Sequence, residues 1–148
     1  MDAEDDRFVI APEGSPQRWT LGRPTDPYGD GYVHTVFVEV TDNGIAASGQ
    51  ATFEGRTPQT LRDFLMRLAE DWRGWPGTRT WTAMENEMTL EATHDGAGHV
   101  RVAVTLRQAQ PAHDADAWSA RIVLALEAGE QLRELAGTAD HFLREAPP

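Results

Sequence analysis

The stretch from Met88 to Leu106, MTLEATHDGAGHVRVAVTL, restricts the fold more tightly than any other part of the chain. Successive strand residues point to opposite faces, so an alternating apolar pattern assigns each residue to a face. Before the central turn the apolar set is Met88, Leu90 and Ala92, continued by His94; after it the set is Val100, Val102, Val104 and Leu106. Both sets face one core only if 94 pairs with 100, 92 with 102 and 90 with 104. That register makes Gly96-Ala97-Gly98 a three-residue loop closed by Asp95 opposite His99. Such loops contain a left-handed residue, which accounts for a glycine there. His94 then points toward the core end and His99 to the other face, so the two cannot converge on one metal ion. An Asp95–His99 contact on the open face is expected instead.

The same reasoning extends along the chain. Residues 1–6 are expected to form a charged, frayed tail. RFVI and RWTLG are short strands around the turn-rich APEGSPQ, and residues 22–31 form a loop. YVHTVFVEVT and GIAASGQATFE are longer strands joined at Asn-Gly. Thr57 is expected to cap a helix with Pro58 in its first position. Leu61, Phe64, Leu65, Leu68, Ala69 and Trp72 line one side of that helix. A final helix carries Leu132, Leu135, Ala136, Ala139, Phe142 and Leu143 on one stripe.

The two halves, about 17–73 and 80–145, can be laid over each other. Val36, Val38 and Val40 fall on Val102, Val104 and Leu106, while Ile45 to Phe53 fall on Trp118 to Leu126. This is a pseudo-duplicated strand–hairpin–strand–helix unit or a coincidence of period-two patterns. Two helices, each apolar on one side, can cover one face of a sheet. The expected fold is a single α+β domain over 1–148, with one curved antiparallel sheet of six to eight strands and both helices on one face.

Composition narrows the function. The net charge of −11 opposes binding to nucleic-acid phosphates. It serves solubility or steers the chain toward a basic partner. With no cysteine, disulfides and zinc–thiolate sites are excluded. All 13 cationic side chains are arginine, a pattern that reads as the codon bias of a high-GC genome. The acidic start does not resemble a signal peptide, and no apolar run approaches the roughly 20 residues that span a bilayer, so the cytoplasm is the default location. The sequence holds no G-x-S-x-G, Walker, dinucleotide-binding or H-E-x-x-H motif. No catalytic residue, metal or cofactor is expected. Glu85 and Glu87 of MENEM share a strand face, but close carboxylates are common in an acidic chain.

Two surfaces remain as candidates. WRGWPGTRTW (72–81) interleaves tryptophan and arginine, either as a stacking platform or as ordinary helix-end and strand packing. Trp75, between glycines and a proline, is the expected surface-accessible ring. With Arg79 and the outward-facing Phe37 it makes up the partner-binding candidates. The open sheet face should show Thr35, Phe37, Glu39, Ser48, Gln50, Thr52, Glu91, Thr93, His99, Arg101, Thr105, Arg107 and Arg121. Glu39, Glu91, His99, Arg101 and Arg121 are the candidates for holding a small polar ligand. The face could equally be solvated and laced with cross-strand pairs such as Glu91–Arg101.

The elements D-W-R-G-W, H-D-G-x-G-H-V and A-G-E-Q-L, over about residues 60–145, resemble an uncharacterised domain-of-unknown-function family of small proteins from high-GC Gram-positive bacteria. More distantly, the helix–strand–D-x-x-G-H-V–strand–helix order is similar to WapI-type immunity proteins, which protect bacteria from polymorphic toxins. Together with the charge, that similarity implies a non-catalytic protein-binding module, an immunity-type inhibitor of a basic toxin. The rival expectation is a small polar ligand-binding protein or enzyme that uses the open sheet face.

Overall fold

The computed structural model describes residues 2–3, 6–54 and 60–144. The first part of the chain runs through β1 (Asp2–Ala3), β2 (Arg7–Ile10), β3 (Arg18–Gly22), β4 (Val33–Asp42) and β5 (Ile45–Glu54), then helix α1 (Leu61–Glu70). The second runs through β6 (Thr78–Thr82), β7 (Met88–His94), β8 (His99–Arg107), β9 (Ser119–Glu127) and α2 (Glu130–Arg144). Every pairing is antiparallel between sequence neighbours. Asp2 and Ala3 lie opposite Val9 and Phe8, a strand in place of the expected frayed tail, because the edge of β2 offers backbone partners that a local pattern cannot reveal.

The strands form two sheets, β1-β2-β3-β4-β5 and β6-β7-β8-β9, and not one sheet of six to eight. Alternation assigns faces but does not say which strands share a ladder, so the pattern could not reveal the break. At the break, the outer edge of β5 meets the turn between β6 and β7. Met84 N–H donates to Thr52 C=O at 2.9 Å. The buried Glu87 carboxylate takes the next donors: its Oε2 accepts from Thr52 N–H at 2.9 Å and from Thr52 Oγ1 at 2.8 Å. Its Oε1 accepts from Glu85 N–H at 3.1 Å. A side chain thus satisfies backbone groups that a further strand would otherwise pair. Asn86, at φ 64°, makes the tight turn that delivers Glu87 to this edge.

Inside, the apolar phases hold. Val36, Val38, Val40, Met88, Leu90, Ala92, Val100, Val102, Val104 and Leu106 are all buried, and both sheets and both helices contribute to one contiguous core. β4 and β5 lie against β8 and β9, and Phe53 meets Trp81 edge to face at 5.2 Å across the sheet boundary. The exception is Trp118, which precedes β9 and is 43% exposed.

Helix α1 begins three residues later than the Thr57 and Pro58 pattern suggests. Thr60 is its cap and accepts from Asp63 N–H at 3.1 Å; positions 57 and 58 lie outside the described residues. The T-x-x-D spacing of Thr60 and Asp63 is itself a capping signal. Leu61, Leu65 and Leu68 enter the core, but the helix ends at Glu70, so Trp72 leaves the stripe. The stripe of α2 is buried at Leu132, Leu135, Ala136, Ala139 and Phe142. The helices pack on each other, with Arg62 Nε 2.7 Å from Asp140 Oδ1. Among the described residues, no helix is long and apolar enough to cross a membrane.

Replacing Glu87 with alanine leaves the half-buried Thr52 N–H at a sheet edge without its acceptor. We expect Glu87→Ala to destabilise the protein by about 1–3 kcal/mol, with Glu87→Gln closer to the parent because its amide oxygen still accepts. Urea unfolding checks this: the midpoint should fall while the slope stays constant. An unchanged midpoint for Glu87→Ala would show that the two sheets do not depend on this contact.

Candidate functional site

The β7–β8 hairpin has the register that the apolar phases require, with His94 opposite Val100, Ala92 opposite Val102 and Leu90 opposite Val104. Gly96 and Gly98 take φ of 78° and 88° in the loop. Asp95 organises it: Oδ1 accepts from Ala97 N–H at 2.6 Å and His99 N–H at 3.0 Å, and Oδ2 lies 3.0 Å from His99 Nδ1. The Ala97 N–H, then that of His99, hold the Asp95 carboxyl below its ordinary range, and the His99 ring adds to the effect.

His94 is used differently. Its Nδ1 accepts from Gly96 N–H at 2.9 Å, so Nε2 carries the proton that reaches Trp72 C=O, also at 2.9 Å. The two histidines are thus engaged separately. No group of three His, Asp or Glu side chains among the described residues is placed to hold a metal ion.

The tryptophan segment corrects the expectation for Trp75. Its ring is only 6% exposed, and its indole N–H donates to Ala92 C=O at 3.1 Å. His94 meets the ring edge to face at 5.3 Å, and Arg79 lies over it at 4.9 Å while pairing with Asp71 at 2.7 Å. Gly74 and Gly77, both at positive φ, fold the chain so that Trp75 turns inward. The accessible ring is Trp72, 39% exposed with Arg73 above it at 5.2 Å. Phe37 is half-buried and covered from within its own sheet: a Cβ at Gly22 would lie 2.9 Å from Phe37 Cβ, and Arg7 sits over the ring at 5.1 Å. Gly22 leaves the room that the aromatic needs.

The five ligand candidates divide. Glu39 belongs to the first sheet, and His99 stands at the hairpin turn with Asp95. Glu91, Arg101 and Arg121 come together on the open face of the second sheet. With Thr78, Thr93, Ala103 and Val123 they line a shallow depression of about 310 Å³. Glu91 is directly opposite Ala103, and Ala103 is opposite Val123, so these three form one row across β7, β8 and β9. The expected Glu91–Arg101 pair is not formed, and none of the three charged side chains makes an ion pair within the described residues. Thr78, Ala103 and Val123 escaped the sequence reading. The signal was present in Val102-Ala103-Val104 and Ile122-Val123-Leu124, since an unbroken apolar run must place one member on the open face. A second depression of about 410 Å³ lies between the helices, with Met66, Ala69, Trp72, Ala136 and Gly137 in its lining.

The sequence from residue 15 to 146 matches the model of a family of unknown function, DUF6228. The chain belongs to DUF6228. No curated protein and no solved structure matches it. In this DUF6228 chain, the D-W-R-G-W, H-D-G-x-G-H-V and A-G-E-Q-L elements are turns and caps. D-W-R-G-W is the exit from α1, and H-D-G-x-G-H-V is the hairpin. Glu127, just before A-G-E-Q-L, accepts from the N–H groups of Gly129 and Glu130. Gln131 returns the contact by accepting from Glu127 N–H at 2.7 Å, a reciprocal cap at the start of α2. None of these elements lines the open-face depression.

Because Asp95 binds its proton less readily folded than unfolded, its contribution to stability is complete above the unfolded value. It is lost as pH falls through the depressed folded value. We expect a carboxyl-detected NMR titration to place the Asp95 midpoint below that of the same residue in an unfolded peptide. Protection of the Ala97 amide should fade over the same acid range, and Asp95→Ala should abolish it at every pH. A midpoint equal to the peptide value would show that the loop bonds do not form in solution.

Proposed function

We propose that this DUF6228 chain is a non-catalytic binding module and that the depression on the open face of its second sheet is the binding site. One observation carries this reading: Glu91, Arg101 and Arg121, from three adjacent strands, surround an apolar floor without pairing to one another. An ordinary solvated sheet face pairs such neighbours across strands. Arginine forks left without carboxylate partners in an acidic chain suit capture of an anionic group from outside. Amide NMR with a library of small polar compounds tests the reading. Shifts should cluster on Glu91, Thr93, Arg101, Ala103 and Arg121, and Arg101→Ala or Arg121→Ala should weaken any binder by about tenfold. Binders that instead shift only the interhelical residues around Met66 and Ala136 would move the site.

The net charge favours a second reading, in which the chain is an immunity-type inhibitor that caps a basic toxin in the cytoplasm. Complementary fields speed encounter, and aromatic anchors slow release. With Trp75 buried, the exposed rings among the described residues that are available for that role are Tyr28, Tyr32, Trp72 and Trp118. The distant similarity to WapI-type immunity proteins points the same way. A pull-down from the native host should then retain a basic protein at low salt and less of it at moderate salt. Retention of no basic protein at either salt, with no toxin gene adjacent, would remove this reading.

A further inference from the structure

We infer that the open-face depression is built for a small zwitterion of the free-amino-acid class, with a carboxylate and an ammonium group on a short apolar frame. This rests on the reading that the depression is the binding site, and it concerns what the site selects.

Ala103 lies in the lining of the depression, at the middle of the second sheet. Its neighbours Val102 and Val104 face the core, and it pairs with Glu91 and Val123 on the opposite face, yet it is only 4% exposed. A methyl group in a central strand is screened when longer side chains flank it on the adjacent strands, as Glu91 and Val123 do here. The larger side chains on either side thus stand as walls around a short apolar floor, of which half-buried Val123 is the more accessible part.

The register then fixes where the charges lie. Arg101 is two residues from Ala103 along β8, and Arg121 is two residues from Val123 along β9. Because these strands are antiparallel, Arg101 lies on one side of the Glu91–Ala103–Val123 row and Arg121, opposite Thr105, lies on the other. Two residues along a strand span roughly 7 Å, which an extended arginine can reach back across, so both forks can serve a group held over the floor. Glu91 is only one strand away from Ala103, roughly 4.8 Å.

A plain anion brought to the arginines would also face the Glu91 carboxylate, a like charge at close range. A plain amine would have the opposite difficulty, with two guanidinium groups and one carboxylate. A ligand carrying both charges satisfies all three side chains, while Thr78 and Thr93 offer hydroxyls at the same edge. The floor of one alanine and one valine suits a short aliphatic group. A volume of about 310 Å³ is at the small end for ligand sites.

The test uses L-valine with its two halves, isovalerate (no ammonium) and isobutylamine (no carboxylate), followed by amide NMR on the full chain. We expect L-valine to cause saturable shifts at Glu91, Arg101, Ala103 and Arg121, with each half at least about tenfold weaker. Glu91→Gln should weaken L-valine about tenfold and leave isovalerate no weaker, whereas Arg101→Gln should weaken both. These are surface positions, and thermal unfolding of the variants confirms that they fold. Isovalerate binding in the depression as tightly as L-valine would overturn the zwitterion and leave the site standing. An acidic sugar such as glucuronate binding there when L-valine does not would do the same. Absence of L-valine and L-leucine binding at millimolar concentrations would overturn the zwitterion. Shifts confined to other surfaces, for these probes and for the wider library, would remove the site as well.

Discussion

The junction between the two sheets is the contact on which the rest of the architecture depends. β5 presents an edge that a further strand could extend, and the Glu87 carboxylate occupies it by accepting Thr52 N–H. A buried carboxylate is expensive unless its oxygens are satisfied, and here Thr52 and Glu85 supply three donors. The ladder ends there and a second sheet begins. Phe53 and Trp81 fill the space behind the junction, so polar and apolar contacts at the boundary support each other.

Ending the first sheet at β5 determines which surfaces are available. A single continuous sheet would spread the charged open-face residues over one broad surface. Two sheets separate Glu39 from Glu91, Arg101 and Arg121, and leave the second sheet with a compact group of its own. The register of β8 against β9 places the two arginines on opposite sides of Ala103. The hairpin loop sets the register of β7 against β8, which brings Glu91 opposite Ala103. Asp95 holds the turn at three residues, and a one-residue slip would exchange the core and open faces of β7.

The tryptophan segment shows how far a local pattern can mislead. Glycines and a proline around Trp75 suggest a ring held out in a loop. The positive φ of Gly74 and Gly77 instead folds the ring inward, where the indole finds Ala92 C=O and the imidazole of His94. His94 in turn is held by Gly96 N–H and Trp72 C=O, so hairpin, helix exit and tryptophan form one structural unit. Phe37 is similar. Alternation correctly turned it outward, but the bare Gly22 and the Arg7 guanidinium that cover it come from neighbouring strands.

By itself the sequence determined strands β2 to β9 and their core-facing residues apart from Trp118, the apolar stripes of both helices short of Trp72, and the three-residue loop at Gly96-Ala97-Gly98. Each of these follows from local periodicity or from turn chemistry, which act over a few residues. Partial sight of the site was possible in the same way, because alternation put Glu91, Arg101 and Arg121 on one face. Tertiary structure alone decided that the strands divide into two sheets, that Glu87 closes the edge between them, that Trp75 is buried while Trp72 is not, and that Glu39 and His99 stand apart from the depression. These depend on which distant segments meet. A pattern of apolar residues specifies which way a side chain faces, but not which strand lies beside it or what covers it.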